Sequence, residues 1–472
     1  MPTPRFENPV PKVRSDLAPE FAPAALWTRS YRALAEATLR PRTLTFTLFQ
    51  ADEPLCSYST PLLPADHPDA ALSLRHAERL LKFLLWQRGA ARVVVSGAPE
   101  IAAALAAIYA PGGARAFDAA FMGGKVYGRP FTIEAGDAPQ ETLSPFSGYS
   151  LGRHLDGCRI GFDLGGSDRK AAALIDGEVV YSEEIPWDPY FQADPAYHLE
   201  GIHDTLMRAA AHLPRVDAIG GSAAGVYVNN EVRVASLFRG VAPGDFDRHI
   251  RRIFFTLQER WGGVPFVVVN DGEVTALAGS MSLERNAVLG VSMGTSLAGG
   301  YVTPEGSLTP WLNELAFAPV DYAPNAPVDE WSGDAGCGVQ YFSQQGVARL
   351  ARTAGFAFPD DQPLPERLVA IQAAAEEGRP GARAIFEAIG IAFGYSLAHY
   401  ADFLDVRHAL VLGRVTSGVG GEILLRKARE VLAAEFPEVA SRLDLSLPDE
   451  KSRRHGQAVA AASLPTLAKS SL

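Results

Sequence analysis

Residues 159 to 184 read RIGFDLGGSDRKAAALIDGEVVYSEE: an apolar run ending in Asp163, a Gly165-Gly166-Ser167 corner, then Arg169 and Lys170. Glycines at such a corner leave main-chain N–H groups uncovered by side chains, and successive uncovered amides form a nest for an anion, phosphate above all. Asp163 would repel a bare phosphate, so its chemistry beside one is to hold Mg²⁺, directly or through water, while Arg169 or Lys170 supplies compensating charge. A second corner, Gly294-Thr295-Ser296 in AVLGVSMGTSLAGGYVTPEGSL, repeats the pattern later in the chain, and two facing hairpins of this kind could clamp one polyphosphate. A third glycine element, ALVLGRVTSGVGGEILLRKAREVL, sets Gly413 after a buried-strand run and Gly418, Gly420 and Gly421 at the opening of a helix, where a nucleotide base or ribose could approach the backbone. Taken singly, each corner is equally well an ordinary hairpin or a tight strand-to-helix turn.

The elements that must position these corners follow from composition and pattern. A chain of 472 residues that is 47% hydrophobic, with 44 Gly and 34 Pro spread along it, is long enough for two or three domains with real cores. Fifty-four acids against 43 bases give a net charge of −11, which favours solubility and argues against a nucleic-acid partner. Cys56, Cys158 and Cys337 lie far apart without a CxxC, a pattern suited to a reducing cytoplasm and not to a disulfide framework, a zinc site or an iron–sulfur cluster. Proline and charge interrupt the first thirty residues, and no 18-residue apolar span follows, so neither a signal peptide nor a membrane segment is expected.

Residues 1–42 read as a Pro-rich arm. Residues 43–150 read as an accessory α/β unit: TLTFTLFQ alternates as a strand, SLRHAERLLKFLLWQRG has helical spacing ending at Gly89, and ARVVVSG is a buried strand before the Ala-rich helix PEIAAALAAIYA. Its last part, from 112 to 150, has the short runs and glycines of a hairpin or linker. The order strand, long helix, strand repeats the order after residue 158, which suggests a degenerate half-lobe serving packing or assembly. From 158 onward strands and helices alternate as α/β layers, with VDAIGGSAAGVYVNNEVRVAS as a strand and a strand pair across Asn229-Asn230, and PFVVVNDGEVTALAGSM as a buried strand running into a helix.

The order of the three glycine elements, with Asn270-Asp271 at a strand end between the first two, resembles the actin-like ATPase superfamily and, within it, the ROK family of sugar kinases and regulators, over about residues 158 to 468. The resemblance implies a two-lobed, ribonuclease H-like α/β fold, with residues 151–269 as the first lobe and 270–472 as the second. The tail GQAVAAASLPTLA looks like the closing helix that returns to the first lobe. By the same resemblance Asp163-Leu-Gly-Gly-Ser167 and Gly294-Thr-Ser296 bind the phosphates of ATP with Mg²⁺, the glycines from 413 to 421 meet adenosine, Asp271 is the general base and Asn270 stands beside the sugar. Phosphoryl transfer needs such a carboxylate to take the hydroxyl proton, and metal plus backbone N–H groups to spread charge. A helix N-cap is the structural alternative for Asp271 and is compatible with catalysis.

Departures from the family are informative. Its Gly-Glu-Ile-Gly-His segment, whose Glu and His meet the sugar, reads Asn313-Glu314-Leu315-Ala316-Phe317 here, so the Glu is kept and the His is gone. Glu314 is either a sugar contact or a partly buried acid paired with an Arg. The family's cysteine-rich zinc motif is reduced to SGDAGCGVQYFSQQG, with Cys337 and Tyr341 in place, so no zinc is expected. Asp168 stands where the family usually has Lys or Asn. The N-terminal region opens on strands and lacks the basic recognition helix of ROK repressors. Two functions are therefore expected to compete: ATP-dependent transfer to a hydroxyl of a sugar or sugar-like molecule with an altered acceptor site, and non-catalytic nucleotide or sugar binding in regulation on the same fold. A homodimer is the assembly this reading allows. The activators of radical-type dehydratases, a third branch, need cluster-ligating cysteines that the chain lacks.

Overall fold

The computed structural model describes residues 4–137, 151–448 and 456–467. The expected arm is not loose: Ala24–Glu36 forms helix α1, which buries Trp27 and Tyr31, their rings stacked at 5.6 Å. The strand β1 (Arg42–Phe49) turns back into β2 (Pro54–Leu62), followed by α2 (Leu72–Arg88), β3 (Arg92–Ser96) and α3 (Pro99–Ile108). Helix α2 stops where Gly89 takes a φ of +77°, the left-handed conformation that glycine adopts without strain. Where a hairpin or linker was expected, α4 (Ala116–Ala120) continues through a wider turn over Phe121–Tyr127 before strand β4 (Thr132–Ala135). A Cβ on Gly123 would lie 2.7 Å from the Arg129 carbonyl, so that glycine serves close packing and not a hairpin bend. Residues 138–150 of the expected linker lie outside the described residues.

The strands order as β2-β1-β3-β4. Strand β3 runs antiparallel to β1, with Phe46 opposite Val95, so this unit shares the element order of a half-lobe but not its strand direction.

The first lobe carries β5 (Cys158–Leu164), β6 (Asp168–Ile175) and β7 (Glu178–Pro186), then α5 (Pro195–Ala210), β8 (Ala218–Ala223), the hairpin of β9 (Val226–Val228) and β10 (Glu231–Val234), the short helices α6 (Pro243–Asp245) and α7 (Ile253–Arg260), and β11 (Phe266–Asn270). Its sheet orders as β11-β8-β5-β6-β7, with β5, β8 and β11 parallel, so their C-terminal ends share one edge. The second lobe begins with α8 (Asp271–Leu283), β12 (Val288–Met293) and β13 (Leu297–Val302), continues through α9 (Gln344–Thr353), α10 (Leu364–Glu376) and α11 (Pro380–Tyr400), and closes with β14 (His408–Leu412), α12 (Val419–Glu435), α13 (Pro437–Ala440) and β15 (Asp444–Ser446). The sheet orders as β13-β12-β14-β15. Helix α14 (Gly456–Ala462) returns to the first lobe as expected: a Cβ on Gly161 of β5 or Gly220 of β8 would collide with the carbonyl of Ala458 or Ala461.

The cores divide the chain differently from the sequence boundaries. One apolar cluster joins α1, α2 and β1 to β3 of the N-terminal unit to β12, α9, α11 and α12 of the second lobe, while the first lobe keeps its own core around Phe162, Phe254 and Phe266.

Candidate active site

Strand ends deliver the acids. Asp163 closes β5 at 7% exposure, and the parallel register sets it opposite Ser222 of β8, whose hydroxyl donates to its Oδ1 at 2.6 Å. Burial pushes the Asp163 carboxyl up, and the Ser222 bond and the nearby Lys170 charge pull against that rise. Asn270 ends β11 and caps α8: its Oδ1 accepts from Gly272 N–H at 2.7 Å, and its amide donates to the Gly225 carbonyl at 2.6 Å. With the cap position filled by Asn270, Asp271 is the first residue of the helix. Its carboxyl accepts from Gly272 N–H at 2.9 Å and is pushed up to about 6, by burial first and by the negative charge of Asp163 second. The first turn of α8 packs directly on β13 of its own lobe because both sides are glycine: a Cβ on Gly300 would run into the Gly272 carbonyl, and one on Gly272 into the Gly299 carbonyl.

Glu314 joins the same group. Burial, then the Asp271 charge, pushes it up to about 7, and among the described residues no Lys or Arg pairs with it, which sets aside the Arg-paired alternative. The neighbouring Asn313 donates to Glu273, which is 5% exposed and pushed up to about 8 by burial. Ser222, Glu273 and Asn313 were not singled out from the sequence. The only local signals were a second Gly-Gly-Ser in AIGGSA and an acid inside an apolar helical run.

At the first glycine corner, Gly165 and Gly166 are half-buried and Ser167 is exposed. The Asp168 carboxylate is their immediate neighbour: it accepts from the Ser167 hydroxyl at 2.8 Å and meets the Lys170 ammonium at 3.3 Å. Arg169 faces the other side of β6, over the Trp187 ring and toward Asp204, so of the two cations expected at this corner only Lys170 is on its side. At the second corner Thr295 and Ser296 are exposed, and the Gly294 N–H is turned inward to the Ser296 carbonyl at 2.9 Å. The third element lies beside it, since β14 parallels β12 and Gly413, at φ +99°, packs on the backbone of Met293. Gly418 is exposed where α12 begins, and Glu376 accepts from Val419 N–H there at 2.8 Å. Gly420 and Gly421 are buried: they face Phe386 and the Thr416 carbonyl, so their missing side chains serve helix packing and not an open face for adenosine.

The N-terminal unit packs against both segments at which the sequence was expected to depart from the ROK pattern. Phe317 packs on Trp86 with centroids 4.4 Å apart, and its backbone segment is held by α2, with Asn313 and Glu314 N–H groups donating to the Gln87 and Trp86 carbonyls at 2.9 Å. Beside Cys337, Asp334 meets Lys82 at 2.8 Å, Arg79 at 3.1 Å and Arg115 at 2.6 Å, while Lys82 also meets Asp118 and Arg115 also meets Glu78. Among the described residues no group of three His, Cys, Asp or Glu side chains is arranged to hold a metal ion, and no helix is long and apolar enough to cross a membrane.

No family description and no curated protein matches the sequence. Solved structures share its fold. The ROK hexokinase from Thermus thermophilus is 19% identical, with the match spanning 65% of this chain and 97% of that one at a TM-score of 0.52. A ROK family glucokinase from Streptomyces griseus, solved with glucose and AMPPNP, is 22% identical over 66% and 99% of the two chains at a TM-score of 0.47. A ROK family transcriptional regulator, described as a homolog of the E. coli MLC protein, is 19% identical over 66% and 79% at a TM-score of 0.48. The chain has the ROK-type, actin-like two-lobed fold.

Proposed function

We propose that the protein transfers the terminal phosphoryl group of ATP to a hydroxyl of a sugar-like acceptor, with Asp271 as general base. The observation that carries this is the position and state of Asp271: a carboxylate at the start of α8, relieved of the capping duty by Asn270, without a cation partner among the described residues, and raised to about 6. A base tuned toward neutrality takes a hydroxyl proton more effectively than one at the ordinary carboxylate value. Asp163 suits Mg²⁺: it is a hard oxygen donor whose charge raises Asp271, so a divalent cation beside it relieves that repulsion. When bound, the metal would screen the phosphate charge. The exposed Thr295 and Ser296, the Gly165-Gly166 corner and Lys170 are the groups proposed to hold the phosphates, and Gly413 and Gly418 the ones beside adenosine. Glu314 is proposed to meet an acceptor hydroxyl. Phe317 cannot hydrogen-bond one, so the acceptor differs from those that a histidine at this place would hold.

One observation favours the second reading, a binding protein without catalysis. Asp168 already engages both the Ser167 hydroxyl and the Lys170 ammonium, so the first corner must give up these bonds before it can receive a phosphate. Calorimetry with ATP, with and without Mg²⁺, followed by ADP release over a panel of sugars and polyols, separates the two. The kinase reading expects Mg-dependent binding and an acceptor-dependent turnover that Asp271→Asn lowers by about 10²–10⁴-fold with ATP affinity kept. Binding without turnover on any acceptor supports the regulator, and wild-type turnover in Asp271→Asn removes Asp271 as the base.

A further inference from the structure

A cavity of about 480 Å³ opens against the first turn of α8, walled by the β9–β10 hairpin from Gly225 to Asn230 and by three further parts of the chain. Strand β11 gives Val267 and Val269, the segment after β13 gives Trp311, and the N-terminal unit gives Tyr127 and, from the β1–β2 turn, Ala51. Asn270 and Glu273, which bracket Asp271 in sequence, line it as well.

Most polar groups on this lining are already spent. Gln50 donates to the Arg88 and Pro310 carbonyls at 2.8 and 2.9 Å, Asn270 is held by Gly225 and Gly272, and Asn230 is held by the backbone of Phe266 and Val268. Two groups are not. Glu273 Oε2 and Thr309 Oγ1 are buried without a hydrogen-bond partner, in residues only 5% and 9% exposed. A buried polar atom left unpaired costs about 1–3 kcal/mol, and a ligand that pairs it recovers that cost. The rest of the lining is aliphatic and aromatic, the composition of a small-molecule site with a few placed polar contacts. The volume also exceeds what one sugar ring would need, since a cavity of about 150 Å³ already accepts benzene.

The geometry points to this cavity as the seat of the acceptor's non-reacting end: an apolar or aromatic substituent on a sugar or polyol, joined through an oxygen that meets Glu273 or Thr309. The N-terminal unit thereby sets specificity, because Tyr127 and Ala51 close the wall opposite β11. The link to the acceptor rests on the phosphoryl-transfer reading; the occupancy of the cavity by such a group does not.

The test uses the full chain and matched probes, the methyl and phenyl β-glycosides of glucose, galactose and mannose, titrated by calorimetry into wild type, Ala51→Trp, Thr309→Val and Glu273→Gln. Ala51 is exposed at the mouth, so a tryptophan there plugs the cavity without entering a core. At least one phenyl glycoside is expected to bind about tenfold or more tightly than its methyl partner, from burial of the ring. That gain is expected to vanish in Ala51→Trp, while Thr309→Val and Glu273→Gln weaken both members of the pair. Equal binding of the methyl and phenyl members, a gain that survives Ala51→Trp, or no binding of any of the probes overturns the proposal. ADP release measured on the same probes keeps the two readings apart: phenyl-selective binding without turnover sinks phosphoryl transfer and leaves the cavity, and turnover indifferent to both substituent and plug does the reverse.

Discussion

Two clusters of buried acids in this protein have opposite fates. In the first, Asp334, Asp118 and Glu78 meet Lys82, Arg79 and Arg115, three negative charges against three positive, with Lys82 fully buried and Asp118 and Asp334 at 2% and 4% exposure. Burial by itself would lower the Lys82 ammonium, and its acidic neighbours outweigh that and raise it. In the second, Asp163, Asp271, Glu273 and Glu314 lie at the strand ends and α8 with no salt bridge among the described residues, and all are raised. The paired cluster ties the N-terminal unit to the second lobe beside Cys337. The unpaired one holds Asp271, Glu314 and Glu273 at about 6, 7 and 8, with Asp163 also raised. Matched charge holds structure together here, and unmatched charge is kept at the proposed active site.

Breaking a paired acid should therefore cost the most. Asp334→Ala leaves three buried cations short of a partner, and a loss on the order of 3–5 kcal/mol is expected in denaturant unfolding, or no folded product at all. Asp271→Asn should move stability the other way, by about 1–3 kcal/mol upward at pH 8, because it removes a half-buried carboxylate without a cation partner, pushed up to about 6, while Asn270 keeps the cap. A loss of stability in Asp271→Asn would erase the contrast. Phe317→His places a polar ring among Trp86, Phe117 and Phe121 and should cost about 1–3 kcal/mol without conferring affinity for a free hexose, as read by thermal unfolding and calorimetry.

Acidity gives the smallest and sharpest effects. Asp271, Glu314 and Glu273 bind protons in the folded state at about 6, 7 and 8, above the values of the unfolded chain. The folded state thus keeps protons that the unfolded state has released, and stability should fall as pH rises from about 4.5 to 8, with the fall complete above the highest folded value. Glu273→Gln should flatten the upper part of that decline in a series of melting temperatures. Turnover, in contrast, should rise with pH through about 6 as Asp271 ionises.

The phosphate-type corners and the Asn-Asp pair were legible because strand, glycine corner and acid follow one another locally. Their surroundings were not. Ser222 reaches Asp163 only through the parallel register of β5 and β8, which pairs residues 59 positions apart. Lys82 and Asp118 look like ordinary charges on a helical run, and only the meeting with Asp334 shows them to be a core. What the arm packs on and the strand direction of the half-lobe-like unit were not legible for a related reason. Element order can be seen in a sequence, but strand direction, and the partner an apolar helix such as α1 will cover, are decided by contacts across more than two hundred residues.

The shared core of the N-terminal unit and the second lobe also bears on how the chain is made. Trp27, Leu81 and Phe83 emerge from the ribosome long before Phe386, Phe393 and Val411, the residues whose cluster they join. At about 5–20 residues per second, the interval is roughly 15–60 s, during which α2 lacks the part of its cover that the second lobe supplies. The first lobe waits as well, since α14 closes its sheet from the far end of the chain. Newly made protein should thus depend on chaperone protection until nearly all of its sequence is out, and truncations in either direction should aggregate and not yield a separable domain.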